Sequence, residues 1–332
     1  MVLDGPPQTG MTPDRSPDRV DPRDSTPYDI IIIGAGPAGY TAGIYAARAG
    51  YDTLLLSGIL PGGQLVNTTE VENYPGFETG IMGPDLMIDM RKQAVRMGVT
   101  IIDDTAASVD FDGRPLRVET TDHSYAARAV IVATGADPRK LGLEAEQTLG
   151  GRGVSYCATC DGPFFRNQTI IVVGGGDTAM EEATFLTKFA GKVLVVHRRD
   201  RLRASQAMQQ RAFENEKISF LWNREVAEIR GAERVESVVL RDTTSGDTEE
   251  LEAGAVFVAI GHTPNTMLFR SRLDLDPDGY VIVRGTQTSV PGVFAAGDVH
   301  DRRYRQAVTA AGFGCQAAID ADRYLSEGGP EA

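Results

Sequence analysis

The sequence predicts an α/β fold holding two mononucleotide-binding β-α-β units about one domain length apart. Three observations predict it. The apolar run Tyr28-Asp29-Ile30-Ile31-Ile32-Ile33 leads directly into Gly34-Ala35-Gly36-Pro37-Ala38-Gly39. The run Thr169-Ile170-Ile171-Val172-Val173 leads into Gly174-Gly175-Gly176-Asp177-Thr178-Ala179. Two further apolar segments, Val130-Ile131-Val132-Ala133-Thr134-Gly135 and Val256-Phe257-Val258-Ala259-Ile260-Gly261, follow the glycine runs at similar intervals. That recurrence marks an internal repeat.

Each element has a local reason. Four successive isoleucines read as a buried strand, and the Ala-rich stretch 40–48 that follows reads as a helix. A second strand over 53–56 closes the first unit. The second unit repeats the grammar, with a helix over about 180–189 and a strand over 192–196. Residues 1–27 are rich in Pro and Asp and lack periodicity, which predicts a disordered extension.

The glycine runs sit between a strand and a helix, the context that turns a weak motif into a dinucleotide fingerprint. The N–H groups and dipole of a helix N-terminus favour a pyrophosphate. Gly34, Gly36 and Gly39 supply the tight turn, the phosphate approach and the helix–strand packing in the first unit. Gly174, Gly176 and Ala179 do so in the second. Two fingerprints imply two dinucleotides. The second unit ends His197-Arg198-Arg199-Asp200-Arg201-Leu202-Arg203. Arg198 and Arg199 lie about 24 residues beyond Gly174, near the interval of roughly 20 at which a ribose-reading side chain falls. Arginine forks suit a 2′-phosphate, so this unit reads as the NADPH site. The first unit ends Leu56-Ser57-Gly58 without an acid at the ribose position, and by elimination it reads as the FAD site.

Cys157-Ala158-Thr159-Cys160-Asp161-Gly162 lies just before the second unit. Cysteines three apart at a helix start can close a small disulfide ring and exchange two electrons. Zinc is the competing reading. It needs four ligands, and beyond this pair the chain offers only Cys315 and four scattered histidines, His123, His197, His262 and His300. Asp161 can carry a proton to or from sulfur, or it can be an ordinary Asp-Gly turn residue. Cys315, in an apolar helical stretch, reads as a buried structural thiol.

Composition narrows the function classes. The 332 residues suggest two domains, and 42% apolar content is enough for ordinary cores. No apolar run approaches the roughly 18 residues of a membrane span. A net charge of −13 argues against nucleic acid. Three cysteines and a polar N-terminus argue for a cytoplasmic protein without a secretory signal.

Six blocks in order resemble the low-molecular-weight, bacterial-type thioredoxin reductases. They are Gly34 to Gly39, Gly62-Gly63-Gln64-Leu65, Thr69-Glu70-Val71-Glu72-Asn73-Tyr74-Pro75-Gly76, Cys157 to Gly162, His197-Arg198-Arg199-Asp200, and Gly292-Val293-Phe294-Ala295-Ala296-Gly297-Asp298. The resemblance spans about 28–325. It implies two Rossmann-like, three-layer ββα domains. An NADPH domain at 139–264, carrying the cysteine pair, is inserted into a discontinuous FAD domain at 28–138 and 265–326. It implies FAD contacts from Gly34, Gly36, Pro37, Ala38, Gly39, Gly63, Gln64, Leu65, Asn73, Ala133, Thr134, Gly135, Gly297, Asp298, Arg305, Gln306 and Ala307. It implies NADPH contacts from Gly174, Gly176, Asp177, Thr178, Ala179, His197, Arg198, Arg199, Arg203, Ile260 and Gly261. Cys157, Cys160 and Asp161 take the catalytic roles, with Cys160 facing the flavin and Cys157 attacking thioredoxin. The family is homodimeric.

The implied reaction runs from NADPH to flavin to the cysteine pair to thioredoxin. Nucleotide site and cysteines share one domain yet must meet one flavin, so that domain is expected to rotate about hinges near 138–141 and 260–265. Three rivals are weaker. The flavoprotein of alkyl hydroperoxide reductase carries an N-terminal thioredoxin-like domain with its own cysteine pair, and about 27 residues without cysteine stand there in this chain. A ferredoxin–NADP reductase lacks the cysteine pair. A flavin-binding sensor needs no such pair beside a nucleotide site.

Overall fold

A computed structural model describes residues 26–59 and 61–328. Of the predicted disordered extension, residues 1–25 lie outside the described residues.

Two sheets organise the chain, each between a helical layer and a β layer. In the first, the parallel strands Thr100–Ile102, Thr53–Leu56, Tyr28–Ile33 and Ser124–Val132 lie side by side. The long strand Ser124–Val132 serves two layers. Its first half pairs antiparallel with Leu116–Glu119, and its last three residues pair parallel with Val293–Ala295 from near the C-terminus. Alternation along Tyr28–Ile33 explains the layering. Ile30 and Ile32 face the helices Pro37–Arg48, Gly83–Arg96 and Ala307–Ser326, whereas Ile31 and Ile33 face Val109, Leu116 and Val118. The first and last of these helices pack through small residues. A side chain at Gly314 would run into the backbone of Ala38.

The second sheet is parallel throughout, in the order Val154–Ser155, Ala255–Val258, Thr169–Val173, Lys192–His197, Ile218–Trp222. Ile170 and Val172 face the helices Asp177–Leu186 and Gln206–Phe213. Ile171 and Val173 face the antiparallel sheet of Arg224–Arg230, Ser237–Asp242 and Thr248–Glu252.

The chain crosses between the two sheets twice, and the crossings pair with each other. Ala136–Pro138 runs antiparallel to His262–Pro264. The ribbon is extended by Arg139 N–H to Gly261 O at 2.9 Å and Asn265 N–H to Gly135 O at 3.0 Å. Thr134 Oγ1 donates to Asn265 O at 2.7 Å.

Both glycine helices begin earlier than their periodicity suggests, at Pro37 and Asp177 rather than 40 and 180. Proline at the first helical position lacks only an N–H that would have no partner there. The second ends at Leu186, three residues before the expected 189.

Candidate active site

Cys157 and Cys160 form a disulfide with Cα atoms 5.3 Å apart. Cys157 caps the short helix Ala158–Asp161, and its sulfur accepts the Cys160 N–H at 3.2 Å. The buried Ser155 hydroxyl accepts the Cys157 N–H at 3.1 Å and acts on the Asp161 carboxyl. Burial pushes the Asp161 carboxyl above the usual carboxylate range, and Ser155 partly opposes this. Asp161 therefore holds a proton to higher pH than an ordinary aspartate, as a proton carrier beside sulfur requires. A cleft of about 450 Å³ reaches it from solvent, lined among others by Thr69, Glu70, Arg152 and Arg234.

The disulfide lies against the first sheet's side of the molecule. Gln306 Nε2 stands 3.6 Å from Cys157 Sγ, 3.9 Å from Cys160 Sγ and 3.2 Å from Thr159 Oγ1. Its Oε1 accepts from Asn73 Nδ2 at 3.4 Å. Gln306 also caps the helix Ala307–Ser326, so a helix N-terminus ends at the sulfur pair.

Around the first glycine loop the expected residues converge. Gly34 has φ +112°, and a side chain there would strike Ala133 O; Gly36 faces open space. Gly63 approaches Gly36, and Gly297 packs on Ala38. Gln64 Nε2 donates to Asp137 at 2.6 Å, tying its turn to the crossing ribbon. Asp298 Oδ1 is buried without a hydrogen-bond partner, and its carboxyl is pushed up to about 7 by burial and by Asp301, against the opposing Arg305. An orphaned buried acceptor beside an open glycine loop fits a polyhydroxylated ligand that donates to it.

In the second loop Gly174 has φ +157° and lies against Ala259 O, while Gly176 again faces open space. Arg203 N–H donates to Gly175 O at 2.7 Å, folding the basic segment back onto the loop. Arg198, Arg199 and Arg203 are exposed and make no ion pair among the described residues. Two of the expected contact residues also bond within the protein. Asp177 Oδ1 accepts from Ser205 N and Oγ, both at 2.8 Å. His197 is buried, with Nε2 3.0 Å from Arg201 O and its ring under Gly175. Burial pushes its pKa down, so it packs as a neutral ring.

A family model described as pyridine nucleotide-disulphide oxidoreductase matches residues 28–314. The thioredoxin reductase of Streptomyces clavuligerus is 58% identical over 90% of this chain and 94% of its own. The chain belongs to this oxidoreductase family, among the thioredoxin reductases. The solved thioredoxin reductase of Streptococcus pyogenes is 43% identical, covers 90% of this chain and 98% of its own, and superposes with a TM-score of 0.87. That of Lactococcus lactis, described as the FR conformation, is 44% identical over 90% and 99%, yet superposes at only 0.61. With this membership the redox-active Cys157–Cys160 pair of a flavoprotein oxidoreductase has its structural counterpart in the disulfide.

The structure brings three further residues near Arg305, beyond those the sequence points to. Asp301 accepts the N–H groups of Arg303 and Tyr304 at 2.9 and 3.0 Å and holds the turn that presents Arg305. Arg305 itself sits in the left-handed region at φ +46°. His262, in the crossing ribbon, is pushed down to about 4 by burial, then by Arg305 and Arg139. Glu182, on the second unit's helix, has a buried Oε2 without a partner. Burial pushes its carboxyl up to about 8, with Arg305 opposing and Glu181 adding. An Asp two residues ahead of a turn was a legible signal for Asp301. A glutamate in a helix carries none. No three-residue metal cluster of His, Cys, Asp or Glu exists among the described residues.

Cys315 departs from expectation. It is half-buried rather than buried. Gly314, Ala317 and Ala318 take the helix's buried face and leave Cys315 at its margin.

The raised Glu182 carboxyl makes a pH-dependent prediction. A carboxyl that binds its proton more tightly in the fold contributes stability fully present below its unfolded value, near 4.5, and lost as pH rises through about 8. Glu182→Gln should leave stability unchanged near pH 4 and raise it by about 2–4 kcal/mol near pH 9. Urea unfolding at both pH values checks this, and an equal gain at each would remove the titration as its cause.

Proposed function

We propose that the chain reduces oxidised thioredoxin with electrons from NADPH, passed through FAD to Cys157–Cys160. The observation that carries the reading is the disulfide docked at Gln306, which Asn73 in turn holds, on the first sheet's side of the molecule. When bound, a flavin takes hydride from a nicotinamide and returns two electrons to a disulfide. The chain's own residues do the rest. Gly34, Gly36 and Gly39 admit the pyrophosphate of FAD, Asp298 accepts from its polyol, and Gln64, Leu65 and Arg305 to Ala307 bound the ring region. Gly174, Gly176 and Ala179 admit NADPH, and Arg198, Arg199 and Arg203 hold its 2′-phosphate. Asp161 holds and delivers the proton that accompanies disulfide cleavage. Cys157 then attacks the partner disulfide.

The domains divide in this reading at 28–138 with 265–326, and at 139–264. With the sulfur pair docked, the nicotinamide cannot occupy the same face, so the inserted domain turns about the paired crossing strands. The two relatives of nearly equal identity support this. Sequence divergence does not separate TM-scores of 0.87 and 0.61, whereas a change of domain arrangement would. Among the described residues no helix is long and apolar enough to cross a membrane. A cytoplasmic homodimer completes the reading, and sedimentation of the holoenzyme checks the dimer.

The test is insulin reduction coupled to thioredoxin, with NADPH or NADH as donor. Turnover should require both NADPH and thioredoxin. Replacing Arg198 and Arg199 together by alanine should raise the KM for NADPH about 10²-fold and leave NADH use unchanged, as two lost charge-assisted contacts require. Equal loss with both nucleotides would sink the 2′-phosphate assignment. Turnover without thioredoxin would sink the partner.

A further inference from the structure

We propose that Gln306 stabilises the negative charge that appears on Cys157 Sγ when the disulfide is cleaved, and does so only while the pair is docked against the helix Ala307–Ser326. The proposal deepens the redox reading of Cys157–Cys160 and rests on it.

The surroundings of the two sulfurs are unequal. Cys157 Sγ has three donors within reach: Cys160 N–H at 3.2 Å, Thr159 Oγ1 at 3.3 Å and Gln306 Nε2 at 3.6 Å. Among the described residues Cys160 Sγ has only Gln306 Nε2 as a donor, at 3.9 Å. Anionic sulfur gains most where donors converge, so cleavage leaves the charge on Cys157. Two electrons enter, the S–S bond breaks, Cys157 departs as thiolate, and Cys160 ends as thiol with one proton taken from Asp161. The reductant is a reduced flavin or, in vitro, a dithiol.

The orientation of the Gln306 amide follows from its other contacts. Its oxygen accepts from Asn73 Nδ2 and from the backbone N–H of Thr309 in the capping box. Its NH₂ end is thereby turned toward sulfur. One N–H is used by Arg305 O at 3.1 Å, which leaves the other for Thr159 and the sulfurs.

The donors also differ in origin. Cys160 N–H and the Thr159 hydroxyl travel with the pair. Gln306 lies 149 residues away from Cys157 in the chain, on the far side of the crossing ribbon. Undocking strips Cys157 of that donor alone. A less stabilised thiolate is more basic and a stronger nucleophile, which suits attack on an external disulfide. Gln306 thus makes the pair easier to reduce where it receives electrons and more reactive where it gives them up.

The test equilibrates the holoenzyme with defined ratios of reduced and oxidised dithiothreitol, quenches with acid, and counts alkylated thiols by mass. Gln306→Ser keeps a capping hydroxyl but cannot reach sulfur. Compared in enzyme matched for flavin occupancy, it should shift the equilibrium toward disulfide by about tenfold, about 30 mV, with the helix cap retained. Gln306→Glu keeps the reach, brings a negative charge, and should shift it further. An unchanged equilibrium in both variants overturns the proposal. So does a shift no larger in Gln306→Glu than in Gln306→Ser, which would point to the helix cap rather than to charge. The readout needs neither thioredoxin nor turnover, so it stands if another protein disulfide is the substrate. A wild-type pair that stays oxidised at every ratio would sink the redox reading, and the proposal with it.

Discussion

Cys157→Ser is expected to lower thioredoxin-coupled turnover by at least about 10⁴-fold while leaving the flavin reducible by NADPH. The sulfur is both the group that leaves when the disulfide is cleaved and the nucleophile for the next one, and serine performs neither role at neutral pH. The short helix should survive, because a serine hydroxyl caps as well as a thiol does. Cys160 remains beside Gln306 as a lone thiol. Rapid mixing with NADPH should therefore bleach the flavin at the wild-type rate, and added thioredoxin should not restore its colour. Restored colour would show that Cys160 suffices for exchange, and the roles of the two sulfurs would have to be reversed.

The second large effect is expected from locking the two domains together. An ideal Cβ at Gly151 stands 3.6 Å from Cβ of Thr69, within the Cβ separation of a disulfide. Thr69→Cys with Gly151→Cys therefore gives a pair that a short bis-alkylating reagent can bridge in the docked arrangement. Labelling without NADPH protects Cys157 and Cys160, which are then joined to each other. The bridged protein should lose at least about 10²-fold in turnover, because the nicotinamide can no longer reach the flavin. The unbridged double variant should stay within a few-fold of wild type despite the left-handed backbone at 151, where φ is +70°. Full turnover in verified bridged protein would show that the docked arrangement serves both half-reactions.

The parts of this molecule legible in the sequence are those with a short-range signal. Ile30 to Ile33 could only be a buried strand, and Gly34 had to be glycine because its turn lies against Ala133 O. The redox pair was legible from Cys157-Ala158-Thr159-Cys160 and from the absence of further ligands. Long-range juxtapositions were not. Gln306 was readable as a flavin-side residue, but its approach to the sulfurs depends on how two sheets face each other. Glu182 looks like any solvated helical glutamate until the tertiary fold buries its carboxyl. Nor could the motif show the contacts that His197 makes to Arg201 O and Asp177 makes to Ser205 within the protein. The margin position of Cys315 was not legible, because an apolar stretch does not reveal which helical face the neighbouring glycine and alanines will claim.

The paired crossing strands have a further consequence. Ala136–Pro138 and His262–Pro264 leave the first sheet at one place and are hydrogen-bonded along their length. A body hung on two joined strands can twist about them but cannot drift away. If the chain binds FAD and NADPH as proposed, both cargoes of that body, the sulfur pair and the nucleotide, are tethered to a single flavin face at high effective concentration. Each is the other's intramolecular competitor. In the proposed reading the ribbon works as a commutator, admitting one electron carrier at a time.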